Sequence, residues 1–311
     1  MKFIVPIPDH RYYLWQTLVQ IENFKEMGYE QNAHYPVIYF GNEPSEIAKK
    51  ISTSKNVKCN FHFYKDEREN KSYSASMKPW MMGKYFSDYP QEANNTYAYL
   101  DSDCIFTQPM DFTPFEQADN TWYGSDTAGY TGEKYIREKG DQLWLDLLNI
   151  AELNPELING KKNWEIGAQY FIKNCPADLW FDIERKSIVG YKHMGDTAHI
   201  YKPPNHEYPI QKWCSEMYFT QYEAIRRGFE LKVSPLMQFL WTNHNMLDWH
   251  KKPFFHCAGV PKNNGKDFCK IDYQSSPFKK DLSYVDIHSA SYKYAELIKR
   301  TEKMFPDLVW E

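Results

Sequence analysis

The chain has 311 residues, with 37 Lys plus Arg against 41 Asp plus Glu and a formal net charge of -4. Its 25% charged residues, 14 Gly and 18 Pro exclude a disordered, collagen-like or linker-rich protein. Mean hydropathy is -0.71, and no apolar run approaches the roughly 18 residues of a membrane helix. Residues 3–9 (FIVPIPD) are too short and proline-interrupted for a secretory signal. We therefore expect a cytoplasmic protein with no membrane partner.

Apolar runs and helical spacings alternate along the first hundred residues. Strands are predicted at 2–7, 35–40, 57–64 and 96–100, with helices at about 12–27, 45–52 and 76–85. This alternation is typical of an α/β fold with a mixed, mostly parallel central sheet flanked by helices. Later elements are predicted as helices near 141–151, 213–227 and 289–304, an apolar stretch at 166–172 and a loop over 185–212.

A D-x-D triplet, Asp101-Ser102-Asp103, follows the fourth predicted strand directly. Ligands of such sheets gather at the carboxyl ends of the strands. Two carboxylates one residue apart suit Mg²⁺ or Mn²⁺, and such an ion neutralises the phosphates of a nucleoside diphosphate. The triplet is common by chance, but this position favours a metal site over an ordinary acidic turn.

The second motif is the segment 254–262 (FFHCAGVPK), in which His256 is followed by Gly259 and Lys262. A neutral imidazole can supply a third metal ligand. Gly259 would let backbone approach a phosphate, and Lys262 would supply a positive charge to it. A core histidine and a surface lysine are the plainer interpretation of the segment on its own.

Together the D-x-D triplet and H-x-x-G-x-x-K resemble the nucleotide-sugar glycosyltransferases of the GT-A fold. The resemblance implies that Asp101, Asp103 and His256 hold a divalent ion, Mn²⁺ or Mg²⁺. It also implies that Asp101, Ser102, Gly259 and Lys262 contact a UDP-sugar donor.

Three further stretches narrow the resemblance: 13–16 (YLWQ), 77–80 (MKPW) and 213–218 (WCSEMY). With the two motifs they are similar, in order over about residues 1–262, to the hydroxyproline O-arabinosyltransferases and peptidyl-serine galactosyltransferases. Those enzymes belong to the secretory pathway, whereas a cytoplasmic location is predicted for this chain. The resemblance favours a pentose such as arabinose as the transferred sugar.

Catalytic residues follow from the same resemblance. Glu216, at the start of a predicted helix on the acceptor side, would act as general base, although a helix-terminal carboxylate needs no such role. Residues 164–170 (WEIGAQY) would border the donor sugar, with Gly167 permitting its close approach. In a retaining reaction Glu165 or Gln169 would lie near the anomeric carbon.

Three weaker assignments concern the nucleotide. Asp9 and Arg11, with His10 between them, follow the first strand, where this fold commonly places the base and ribose. Lys78 would lie near the diphosphate or ribose. Polar residues at such positions need no ligand.

Residues 185–270 carry 13 Lys plus Arg against 7 Asp plus Glu and six of the ten histidines, interleaved with aromatics. Such a segment favours a phosphorylated partner over a peptide, although a solvated surface is the simpler explanation. We expect 5-hydroxymethylcytosine in phage DNA as acceptor, in the host cytoplasm, with a flipped base stacked on Trp213, Trp241 or Trp249.

The predicted organisation is a catalytic domain at 1–265, with a nucleotide-binding half at 1–105 and an acceptor half at 106–265. Residues 266–311 are expected to form an extension packed on it. Alternatives are transfer to a protein, glycan or lipid hydroxyl, a metal-dependent nucleotidyltransferase, and a non-catalytic nucleotide-sugar or nucleic-acid binding module.

Overall fold

A computed structural model describes residues 1–201, 209–259, 265–306, 308 and 310. The chain divides into two compact units, each built from separate stretches of sequence. The first unit comprises Met1, Glu67–Tyr99 and Thr113–Pro235, and the second comprises Lys2–Asp66, Leu100–Phe112 and Leu236–Glu311.

The strands within the described residues are β1 (Lys2–Ile4), β2 (Ile7–Pro8), β3 (Ala33–Tyr39), β4 (Asn60–Lys65), β5 (Tyr97–Tyr99), β6 (Cys104–Phe106), β7 (Thr121–Asp126), β8 (Ile166–Ile172), β9 (Glu230–Val233), β10 (Phe239–Leu240) and β11 (Phe254–His256). The α-helices are α1 (Arg11–Met27), α2 (Glu46–Ser52), α3 (Met77–Asp88), α4 (Thr113–Gln117), α5 (Ala128–Thr131), α6 (Glu133–Lys139), α7 (Asp141–Ala151), α8 (Ala177–Asp196), α9 (Ser215–Arg226) and α10 (Ser291–Met304).

In the second unit, β3 is the central strand of a parallel arrangement. It pairs in parallel with β1, β2 and β4. The single strand predicted over 2–7 is therefore two short strands, β1 and β2. Helix α1 begins at the cap residue His10, whose Nδ1 accepts from the Tyr12 amide, and ends at Gly28 with φ 77°. That left-handed conformation suits a residue without a side chain.

A second, smaller sheet in the same unit consists of β10, β11 and β6. Strand β11 runs antiparallel to β6 and parallel to β10. This sheet brings residues that follow Asp103 against residues near position 256, although about 150 residues separate them in the chain.

In the first unit, β8 pairs antiparallel with both β5 and β7, and β7 pairs in parallel with β9. Helix α8 packs against both α3 and α9 through close approaches at glycine. A Cβ atom on Gly83 of α3 would meet Phe181 of α8 at 2.6 Å, and one on Gly190 of α8 would meet Phe219 of α9 at 2.1 Å.

The predicted fold class, a mixed and mostly parallel α/β fold with flanking helices, is confirmed. The helix predicted at 141–151 is α7, and the helix predicted at 12–27 is α1. The loop predicted over 185–212 is wrong, because α8 continues to Asp196. Its buried face includes Leu179, Ile183 and Met194, at the spacing of an amphipathic helix.

No helix in the described part of the chain combines the length and the apolar character that crossing a bilayer requires.

Candidate functional site

The D-x-D triplet lies in a turn of the second unit between Leu100 and β6. The amide of Leu100 donates to the carbonyl of Ile4 at 3.1 Å, and the amide of Cys104 donates to the carbonyl of Asp101 at 3.1 Å. The turn is therefore hydrogen-bonded both to β1 and within itself.

His256 reaches this turn because β11 pairs with β6. In the antiparallel register His256 lies opposite Cys104. Beyond the strand, the amide of Cys257 donates to the carbonyl of Asp103 at 3.0 Å. Backbone pairing thus places the late histidine beside the second aspartate.

The side chains form a compact polar cluster. Nε2 of His256 lies 3.3 Å from Oδ1 of Asp103 and 3.9 Å from Oδ2 of Asp101. Among the described residues, ligand atoms of Asp103, Cys104 and His256 lie within 4.8 Å of one another, and all three residues are buried. Cys104 was not predicted as part of this cluster.

The donor set fits a divalent ion. Two ligands about 2.1 Å from one ion and at a right angle lie about 3 Å apart, close to the separation of Asp103 Oδ1 and His256 Nε2. Carboxylate oxygen and imidazole nitrogen suit Mn²⁺ better than Ca²⁺, and the neighbouring thiol also suits zinc. Asp101, which is less buried, lies at the edge of the cluster.

The electrostatics of the cluster follow from its burial. Burial alone would raise the pKa of Asp103, but Lys270 and His256 hold it well below its ordinary value. Burial alone would lower the pKa of His256, but Cys104 and Asp103 raise it above its ordinary value. Asp103 is therefore an ionised carboxylate in a water-poor environment.

Lys270 is the cation of this cluster that sequence reasoning missed. Its ammonium forms an ion pair with Oδ2 of Asp103, and Nζ lies 6.0 Å from the ring centroid of Tyr12. No motif signalled it, because Lys270 lies beyond the H-x-x-G-x-x-K motif, at the start of a short 3-10 helix. Around the imidazole, the ring of Trp241 stacks on His256 with centroids 6.0 Å apart.

Asp9 and Arg11 lie at helix starts in the second unit. The carboxylate of Asp9 accepts from the amide and the hydroxyl of Ser45, both at 2.6 Å, just before α2. Nη1 of Arg11 donates to the carbonyl of Trp310 at 2.9 Å. Both side chains have intramolecular partners, so their predicted nucleotide contacts remain predictions.

The remaining predicted phosphate contacts are placed only in part. Ser102 is buried in the turn, whereas Gly259 is exposed. A Cβ atom on Gly259 would meet Cδ1 of Ile271 at 2.9 Å. Lys262 lies outside the described residues.

Glu216 belongs to the first unit, where it is the second residue of α9 and 8% exposed. The hydroxyl of Tyr73 donates to its Oε2 at 2.5 Å, and the Glu216 amide donates to the same hydroxyl at 3.1 Å. Nζ of Lys78 lies 3.8 Å from Oε1. The structure thus brings Lys78 and Glu216 together, and it adds Tyr73, which the sequence did not signal.

Glu165 and Gln169 occupy different environments in the first unit. Burial raises the pKa of the half-buried Glu165 carboxyl. The buried amide of Gln169 accepts from the hydroxyl of Ser125 at 2.6 Å. The expected open approach at Gly167 is wrong, because the position of a Cβ is already filled by Met217 at 2.5 Å and Thr127 at 2.7 Å.

The three tryptophans proposed to stack on a base also differ. Trp213 is 61% exposed, and Trp241 is half-buried against His256. Trp249 is buried and packs on Phe255 with ring centroids 5.5 Å apart. Trp249 is therefore a core residue, and its predicted stacking role is wrong.

No family model and no curated protein matches the sequence. Structural similarity is found to WbbM, a bifunctional glycosyltransferase, at 12% identity and a TM-score of 0.44 over 95% of this chain. The chain spans 51% of that protein. The galactosyltransferase LgtC, with donor and acceptor sugar analogs, gives 12% identity and a TM-score of 0.44, and an LgtC active-site mutant gives 12% and 0.46. In both cases 95% of each chain is covered.

Proposed function

We propose that this protein is a metal-dependent glycosyltransferase that moves a sugar from a UDP-sugar to an acceptor hydroxyl. The observation that carries the proposal is the contact of Asp103 with His256, 3.3 Å apart, beside Asp101 in a turn after a strand. A buried carboxylate, an imidazole and a second carboxylate form a donor set for a divalent ion.

When bound, the ion neutralises the diphosphate and so stabilises the leaving group. Asp101, Asp103 and His256 would hold it. The protein's part is to keep these ligands in place before the donor arrives, through the β6–β11 pairing and the hydrogen-bonded turn. Preorganisation of this kind avoids reorganisation during the reaction.

The acceptor hydroxyl needs a base, and we assign Glu216 to that role. The Tyr73 hydroxyl fixes Oε2, whereas Oε1 faces Lys78 at 3.8 Å. Glu216 would take the hydroxyl proton while the acceptor oxygen bonds to the anomeric carbon and the bond to the β-phosphate oxygen breaks. Transfer with inversion would follow.

If the reaction is retaining, Glu165 or Gln169 would instead lie near the anomeric carbon of the donor sugar. The buried Gln169 amide is already held by Ser125 at 2.6 Å. The half-buried Glu165, whose pKa is raised by burial, is the more available carboxyl. The anomeric configuration of the product, read by NMR, decides between this assignment and Glu216.

For donor and acceptor we propose UDP-arabinose and 5-hydroxymethylcytosine in DNA. Support comes from the excess of positive residues in the sequence of 185–270, apart from Lys186 and Lys270, which are held in poorly exposed ion pairs, and from the exposed Trp213. Cationic segments with exposed aromatics suit a phosphate backbone and an unstacked base.

The test of this acceptor compares hydroxymethylated with unmodified DNA of identical sequence, each incubated with a series of UDP-sugars. Transfer only to the modified DNA, with binding that weakens as salt rises, is expected. Transfer to a peptide, glycan or lipid hydroxyl with none to DNA would select the alternative glycosyltransferase function.

Two other functions are separated by the released product. A nucleotidyltransferase releases pyrophosphate, whereas a glycosyltransferase releases UDP. A non-catalytic binding module would bind UDP and release neither. Assay of UDP and of pyrophosphate in one reaction mixture distinguishes all three.

A further inference from the structure

Lys270 contacts the same carboxylate that the proposed ion needs. Its ammonium pairs with Oδ2 of Asp103, while Oδ1 faces His256 at 3.3 Å. The Lys270 side chain is 16% exposed and that of Asp103 is 3% exposed. The pair therefore lies where water screens charge poorly.

The formal charges of the side chains give the net charge of the cluster that a divalent ion would enter. An imidazole that ligates an ion is neutral, so in the ion-bound state Asp101, Asp103 and Lys270 together contribute a net charge of -1. A divalent ion brings the total to +1 with its charge beside the ammonium, and like charges at close range in a poorly screened site repel. Without Lys270 the same ion would meet a charge of -2 and the total would be zero.

We propose that Lys270 is the resident counter-cation of Asp103, and that it makes ion binding depend on an anionic ligand. A divalent ion must share Asp103 with the ammonium, so it binds weakly alone. A nucleoside diphosphate offsets the excess positive charge and allows both cations to remain. The inference rests on the proposed function, because it takes this cluster as the ion site.

Thermodynamic linkage gives the inference a measurable form. If the diphosphate strengthens ion binding, the ion strengthens diphosphate binding by the same factor. Couplings between ligands are typically about 5- to 150-fold. The part of that factor that arises from Lys270 should disappear when the ammonium is removed.

The experiment is calorimetric titration of Mn²⁺ into the full chain, with and without UDP. The variants are Lys270→Gln, Asp103→Asn and the control Lys293→Gln, whose lysine pairs with Glu296 on the exposed face of α10. Without UDP, Lys270→Gln is expected to bind Mn²⁺ about tenfold more tightly than the wild type. UDP should strengthen Mn²⁺ binding less in Lys270→Gln than in the wild type or Lys293→Gln.

The outcomes separate the two claims. If the wild type and Lys270→Gln bind Mn²⁺ with equal affinity and Asp103→Asn loses Mn²⁺ binding, the role of Lys270 is overturned and the ion site is supported. Unchanged affinity in Asp103→Asn overturns the ion site itself, and no binding by wild type or Lys270→Gln overturns both. If circular dichroism shows that Lys270→Gln is unfolded, Lys270→Met takes its place. Lys270→Arg keeps the positive charge and is expected to bind Mn²⁺ as weakly as the wild type.

Discussion

Gln20, in the middle of α1, holds the turn that begins at Asp101. Its Nε2 donates to the carbonyl of Asp101 at 2.8 Å and to that of Cys104 at 2.7 Å. Its Oε1 accepts from the Tyr35 hydroxyl at 3.1 Å. One buried amide on a helix thus fixes both ends of the segment that carries the aspartates.

Replacement of Gln20 by Leu should destabilise the protein by about 2–3 kcal/mol, since it removes buried hydrogen-bond partners. Urea unfolding measures the loss, and Mn²⁺ titration should show weaker binding. Gln16→Leu is the control, because the Gln16 amide donates to Tyr12 within the same helix at 2.6 Å. Equal effects of the two substitutions would contradict the role of Gln20.

The Asp103–Lys270 ion pair predicts non-additive stability. Asp103→Asn leaves the Lys270 ammonium without this carboxylate, and Lys270→Met leaves the Asp103 carboxylate without this ammonium, so each should cost about 3–5 kcal/mol. The double variant should cost less than the sum of the two, by about 1–3 kcal/mol. Urea unfolding of the four proteins gives the coupling, and strict additivity would show that the pair contributes nothing.

Tyr73 should act on catalysis through Glu216. Tyr73→Phe removes the hydroxyl that donates to Oε2, so kcat is expected to fall about 10- to 100-fold while KM for the donor stays constant. Tyr191→Phe is the control, because Tyr191 stacks on Tyr73 with centroids 4.5 Å apart and keeps its ring. An unchanged kcat in Tyr73→Phe would contradict a role for Tyr73 in catalysis through Glu216.

The ionised carboxylate of Glu223 is expected to contribute stability that is lost in acid. Burial alone would raise its pKa, but Arg226, Arg227 and Lys186 lower the pKa to about 2 from an ordinary 4.5. A depressed carboxyl pKa stabilises the fold above the unfolded value, and that contribution is lost as pH falls from about 4.5 towards about 2.

Glu223→Gln should therefore cost about 3–5 kcal/mol at pH 7, where it leaves the buried Lys186 without that partner. Its Tm should fall less steeply than that of the wild type between pH 4.5 and pH 2.5. Melting curves recorded by circular dichroism across this range test the sign. Parallel pH profiles would show that Glu223 has no depressed pKa.

A side chain added at Gly167, near the proposed donor site, is expected to clash with its neighbours. A Cβ there would lie 2.5 Å from Met217 and 2.7 Å from Thr127, so Gly167→Ala should destabilise the protein by about 1–3 kcal/mol. Gly129→Ala adds a methyl group with nothing within 4 Å and should be near neutral. Urea midpoints of the two variants test the difference, and a neutral Gly167→Ala would contradict it.

The sequence predicted well what depends on local pattern. Helix α1 was visible from the spacing of its apolar residues and from Gly28, and the position of Asp101 and Asp103 after a strand was read correctly. The continuation of α8 was missed because Pro203, Pro204 and Pro209, which lie further along, suggested a longer loop. The roles of Cys104 and Lys270 were missed because contacts between distant segments leave no trace in spacing.

Product release from the purified protein tests metal-dependent sugar transfer. It is incubated with Mn²⁺ and UDP-arabinose, UDP-glucose, UDP-galactose or UDP-N-acetylglucosamine, with and without hydroxymethylated DNA, beside Asp103→Asn. UDP release is expected to need the ion and to fall about 100-fold or more in the variant. Release of pyrophosphate, or UDP release that persists in Asp103→Asn and in chelator, would contradict metal-dependent sugar transfer.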